Sequence, residues 1–170
     1  GGSCDDDPAP HSGRIGSQIG PFRIIGLIGS GGMGEVYSAR DTTLGRTVAL
    51  KLLREHSQAD YAAIQRHVRG AKAASSLNRP NIVSVYQVVA TGSDAAIAME
   101  LVEGNSLRRL TGKPIPLEHV CHFGGQAAQA LAAAHRQGGT HRDIKPENLM
   151  VRPDGYLKVL ELGFARDAPD

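Results

Sequence analysis

The sequence predicts an α+β fold: an antiparallel sheet early in the chain, then mainly helices. Two observations carry this. Short β-rich runs separated by turn signals fill Phe22 to Leu53 and recur before Leu101, whereas the longest amphipathic helical pattern, Leu117 to Gln137, comes later. Strands that precede helices, instead of alternating with them, argue for α+β over a doubly wound parallel sheet. No internal repeat is present.

Each element has its own local reason. Residues 1–13, "GGSCDDDPAPHSG", combine an acidic triplet, prolines and no periodicity, and read as a disordered leader. The runs "FRIIGLI", "EVYSAR" and "RTVALKLL" are strands divided by a glycine-rich stretch and by a "DTTLG" turn. Ser57 to Leu77 is helical in pattern, with Ile64, Val68, Ala71 and Ser75 on one face, and "NRPNIV" ends it. Strands follow near Ile82–Val89 and Ala95–Leu101 around a "TGSD" turn. In the Leu117–Gln137 helix, Val120, Phe123, Ala127, Leu131 and Ala134 form the apolar stripe. A polar loop then leads to two short strands, Leu149–Val151 and Leu157–Leu160, joined by "RPDG".

Composition narrows the functions. A chain of 170 residues has the length of about one domain. With 41% hydrophobic residues and a net charge of +2, it lacks the basic excess of a nucleic-acid binder. Cys4 and Cys121 are too far apart for a disulfide framework or metal spacing, which fits a reducing, cytoplasmic setting. No apolar run reaches membrane-spanning length, and no signal peptide opens the chain. A first residue of Gly1 instead of Met reads as a fragment or a processed product.

Three stretches carry chemistry. In "IGSGGMGEV", Gly29, Gly31 and Gly34 form G-x-G-x-x-G, which lets backbone amides approach phosphate oxygens. A dinucleotide fingerprint must open a helix. Here the chain continues as a strand, so the glycines belong to a hairpin and the dinucleotide reading fails. Lys51 closes the apolar run "VALK"; alone it is a snorkelling side chain, but beside a glycine hairpin it is a candidate cation for the same phosphates. "HRDIKPENLM" sets Asp143, Lys145 and Asn148 within six residues. Such a carboxylate can orient or deprotonate a hydroxyl, the lysine can neutralise a transferring phosphoryl group, and the amide oxygen can hold Mg²⁺.

Together with "NIV" and "AMELVEG", these motifs resemble the first part of a protein Ser/Thr kinase domain of the eukaryotic-like type found in bacteria, over roughly Ile19 to Arg166. The resemblance implies a five-stranded antiparallel small lobe with one helix, joined to an incomplete, mainly helical large lobe. It divides the chain into residues 19–102, small lobe and hinge, and 103–170, large lobe including the catalytic loop. It implies that ATP and Mg²⁺ are bound and that a protein Ser or Thr hydroxyl accepts the γ-phosphate. Ile28, Val36 and Ala49 would roof the adenine and Met150 would floor it. Met99 would be the gatekeeper, with the backbone of Glu100 and Val102 on the purine edge. Lys51 would hold the α- and β-phosphates. Asp143 would be the catalytic base, Lys145 would lie near the γ-phosphate and Asn148 would ligate a second Mg²⁺.

Departures from the family pattern concern the same machinery. Asp-Phe-Gly is replaced by Glu161-Leu162-Gly163, which makes Glu161 the expected Mg²⁺ ligand in altered geometry. A shift of about 1 Å can cost on the order of 10²-fold in rate. Gly70 stands where the family has the helix glutamate that pairs with the strand lysine, and Ser57 to Leu77 contains no glutamate. Gly139 and Thr140 replace two apolar anchors of the catalytic loop, and Gly124 and Gly125 interrupt the later helix. The chain ends at Asp170, before any activation segment. Beside an active kinase, these features fit a pseudokinase-like nucleotide-binding or scaffold module, or a truncated or decayed fragment without activity.

Overall fold

The computed structural model describes residues 12–31, 34–53, 62, 65–66, 80–92, 94–136 and 144–160. Ser12–Arg14 forms a single 3-10 turn, and six strands follow: β1 (Gln18–Ile19), β2 (Phe22–Gly31), β3 (Gly34–Asp41), β4 (Thr47–Leu53), β5 (Val85–Thr91) and β6 (Asp94–Met99). They make one sheet in the order β1-β2-β3-β4-β6-β5, every neighbour antiparallel. The expected five-stranded sheet is present with one addition. The two-residue β1 pairs Gln18 with Arg23 and is too short to leave a periodic trace in the sequence.

Period-2 alternation gives the sheet two apolar faces. Phe22, Ile24, Tyr37, Val48, Leu50, Leu52, Ala96 and Ala98 share one cluster. Ala49, Ile97 and Met99 point the other way into a second cluster, with Val83 and Val88. Leu50 and Ile97 are fully buried, and side chains of this size contribute about 1.5–3 kcal/mol each. The "DTTLG" turn forms because the Asp41 carboxylate accepts hydrogen bonds from the amides of Thr43 and Leu44, at 3.0 and 3.1 Å.

The strand expected at Ile82–Val89 starts only at Val85. The preceding residues are drawn away by a later strand. The remaining elements are β7 (Asn105–Ser106), α1 (Leu107–Leu110), α2 (Leu117–His135), a 3-10 turn at Pro146–Asn148, β8 (Leu149–Val151) and β9 (Leu157–Val159). Ile82 forms a parallel bridge with Val159, and the Val83 amide donates to the Val159 carbonyl at 2.9 Å. Strands β7, β8 and β9 make a second, three-stranded sheet.

Helix α2 forms from an alanine-rich run of high helix propensity. Its packed stripe is Phe123, Ala127, Ala130 and Ala134, which meets Leu149, Val151, Leu157 and Val159. The expected stripe is therefore corrected at its edge. Val120 is 50% exposed and Leu131 lies outside the cluster, because each is rotated away from the line through Phe123 and Ala130. Gln126 ties helix to hairpin. Its Oε1 accepts from the Leu157 amide at 2.7 Å and from Asn81 Nδ2 at 3.1 Å, while its Nε2 donates to the Gly155 carbonyl at 3.0 Å. In the expected Ser57–Leu77 helix, Ala62, Gln65 and Arg66 are helical; its other residues, Gly70 among them, lie outside the described residues.

Candidate functional site

The glycine motif sits at the tip of the β2–β3 hairpin. Gly31 pairs with Gly34 and Gly29 with Val36, so strand continues on both sides of the tip. A register shift between Leu27 and Gly29 leaves Ile28 in a bulge, 52% exposed. Bulges of this kind re-aim a side chain out of the regular alternation.

Beneath the hairpin, register aligns the other residues singled out in the sequence. Val36 lies opposite Lys51, and Ala49 lies opposite Met99. Directly opposed residues project to the same side of a sheet. Ala49 and Met99 are buried in one cluster against which Val36, Val102 and Leu160 pack. The structure thus brings together Val36, Ala49, Met99 and Val102, and leaves Ile28 outside that cluster. Lys51 is 8% exposed and makes a further interaction within the chain.

After Met99 the chain runs without regular structure through Glu100, Leu101, Val102 and Glu103. It bends at Gly104, whose φ is +150°, and enters β7. Asn105 then pairs with Val151 and Ser106 with Met150, which sets the half-buried Met150 on the strand next to the strap. A cleft of about 400 Å³ is lined by Glu100 to Glu103 of this strap and by Arg152 to Asp154.

The polar loop is described from Ile144 onward. Lys145 is half-buried and precedes the 3-10 turn, where its carbonyl accepts from the Asn148 amide at 2.9 Å. Asn148 is 4% exposed, and its carbonyl accepts the Leu160 amide at 2.8 Å. That bond sets Asn148 beside the residue that precedes Glu161. Asp143 and Glu161 lie outside the described residues, as do His141, Arg142, Gly139 and Thr140. Among the described residues no three His, Cys, Asp or Glu side chains gather as a metal cluster. The buried Asn148 amide is of a type that can offer an oxygen to Mg²⁺, which is held by few protein ligands together with waters and substrate phosphates. Glu147 is exposed and is held by Arg108 at 2.7 Å, which lowers its carboxyl below the usual glutamate range.

Sequence reasoning passed over Gly104 and Lys158. The signal for Lys158 was a charged residue between Leu157 and Val159, inside a strand otherwise too apolar to hold one unpaired. Its ammonium donates to Glu100 Oε1 at 2.6 Å.

An antiparallel small sheet, an extended strap and a helix-backed hairpin beside a polar loop together define a protein-kinase-like domain. The chain belongs to the protein kinase domain family, whose model matches residues 22–170. It is 38% identical over 159 residues to the serine/threonine-protein kinase PknD of Mycobacterium tuberculosis, covering 92% of this chain and 24% of that protein. It is 41% identical over 152 residues to the serine/threonine-protein kinase pkn3 of Myxococcus xanthus, covering 85% of this chain and 28% of that one. The chain thus spans about a quarter of the length of these relatives. Among solved structures, it matches the PknI kinase domain of Mycobacterium tuberculosis, crystallised as a double mutant, with a TM-score of 0.74 and 25% identity. That match covers 90% of this chain and 64% of the other. No helix among the described residues is long and apolar enough to cross a membrane.

Proposed function

We propose that this chain carries the nucleotide cleft and catalytic loop of a protein serine/threonine kinase, with residues 19–102 as small lobe and hinge and 103–170 as part of the large lobe. One observation carries this reading. Val36, Ala49, Met99 and Val102 converge in one apolar cluster, with Lys51 buried on the strand that holds Ala49. Apolar side chains gathered on one face of the sheet, with a cation on the same strand, suit a purine nucleotide carrying phosphates.

In this reading Val36 and Ala49 cover the base and Met150 lies beneath it, while the strap backbone at Glu100 and Val102 meets its polar edge. Lys51 neutralises the α- and β-phosphates, and the hairpin glycines allow close backbone approach. Asp143 orients a protein Ser or Thr hydroxyl and accepts its proton, and Lys145 offsets charge on the transferring group. Asn148 and Glu161 hold Mg²⁺, which supplies charge neutralisation when bound. Glu161 in place of aspartate and Gly70 in place of glutamate favour a second reading, a nucleotide-binding module with little transfer.

Titration with ATP and Mg²⁺, read by calorimetry or thermal shift, tests the cleft. The chain is expected to bind weakly. Lys51→Ala should weaken binding by about tenfold through lost phosphate contacts, while Asp143→Ala leaves it nearly unchanged. Folded protein with no response at millimolar nucleotide would refute the proposal. Binding without phosphoryl transfer would favour the second reading.

A further inference from the structure

The ion pair between Lys158 and Glu100 is the feature that the roles above leave unused. Lys158 is on β9 and Glu100 is the first residue of the strap, 58 positions earlier in the chain. Their side chains are only 11% and 24% exposed, and the contact is 2.6 Å. Glu100 is gripped from a second side as well. Its Oε2 accepts from the Ser84 amide at 3.2 Å, and its own amide donates to the Ser84 carbonyl at 2.8 Å. Glu100 therefore links the start of β5, the strap and β9.

Lys158 is well placed to act through this contact. Its neighbours Leu157 and Val159 are 0% and 2% exposed, so its backbone is anchored on both sides. It lies directly opposite Met150 in the β8–β9 pair, which puts both side chains on the same face. Stability alone does not call for such a pair, because apolar replacements of partly buried ion pairs are often neutral or stabilising. What an ion pair adds is a defined position for its two partners.

We infer that Lys158 is a positioning residue for the nucleotide cleft: by holding the Glu100 carboxylate, it keeps the strap backbone from Glu100 to Val102 in register with Met150. This rests on the nucleotide reading proposed above. The residue acts on how the base is held and makes no contact with the phosphates.

The test uses the full 170-residue chain with Lys158→Met, Glu100→Gln and Lys158→Arg. Hydrogen exchange without nucleotide is measured first. In the first two variants the amides of residues 100–103 should exchange about tenfold faster, with β3 and β4 unchanged, and Lys158→Arg should keep the original rates. With Mg²⁺ present, Lys158→Met should bind ATP about tenfold more weakly and bind inorganic tripolyphosphate as before. Unchanged exchange in the strap would overturn the inference. So would faster exchange spread evenly over the small sheet, or equal loss of both ligands. If the unmodified chain binds no ATP, the nucleotide proposal falls, while strap exchange still decides the role of Lys158.

Discussion

Gly104 turns the chain from the strap into β7 with a φ of +150°, and a Cβ there would run into the carbonyl of Val151 and the backbone of Arg152. Only glycine satisfies both the dihedral and the space. Gly104→Ala should therefore cost at least about 2 kcal/mol in urea unfolding, and loosen the β7–β8 pairing beside Met150. Glu147 offers a test of electrostatics at the same scale. The hydrogen bond from Arg108 is the largest cause of its lowered pKa, followed by a backbone hydrogen bond. A depressed folded value means the interaction is fully present above the ordinary glutamate range and is lost as pH falls through the folded value. An NMR titration should find the Glu147 midpoint below that range, and Arg108→Ala should raise it. Because the carboxylate is exposed, unfolding stability should hardly register the change.

Among the elements, α2 departs most from its own best sequence. Gly124 and Gly125 lie inside the helix, both exposed, and an added Cβ at either would meet nothing within 4 Å. Glycine costs a helix interior about 1 kcal/mol relative to alanine. Gly124→Ala and Gly125→Ala should each raise stability by about 0.5–1 kcal/mol, read as a higher denaturant midpoint at constant m-value. A loss in either variant would mean that the glycine serves a contact beyond the described residues. The same helix exposes Leu117 at 76% and Val120 at 50%, so its first turn adds little to the core that Phe123 and Ala127 share with the β8–β9 hairpin.

At the scale of the molecule, the question is whether the cleft and the polar loop act together. Lys145 and Asn148 are retained, but Gly70 and Glu161 alter two groups that work with them in the family pattern. The unmodified chain should show negligible transfer of radiolabelled phosphate to a generic Ser/Thr substrate. Residues that act as a unit are grossly non-additive, so Gly70→Glu or Glu161→Asp alone should change little. Both together, in a chimera continued by the rest of a relative's kinase domain, should raise transfer by about 10²-fold or more. Asp143→Asn is the blank. Robust turnover by the unmodified chain, abolished in that blank, would show that neither departure matters.

The sequence by itself determined whatever depends on local pattern. The β-rich runs "RTVALKLL" and Ala95–Leu101, set off by turn signals, marked two strands, the glycines of "GSGGMG" marked a hairpin instead of a helix start, and the amphipathic pattern after Leu117 marked α2. The motif around Lys145 and Asn148 was legible because it is contiguous. Contacts between distant residues were not legible, since nothing local encodes them. Tertiary structure decided that Ile82 would bridge Val159 and shorten β5, that β1 would extend the sheet, and that Ile28 would sit in a bulge outside the apolar cluster. It also decided that Lys158 would meet Glu100. A lone lysine in a short strand says only that a buried charge needs a partner, and the partner is found where the fold returns the chain to the strap.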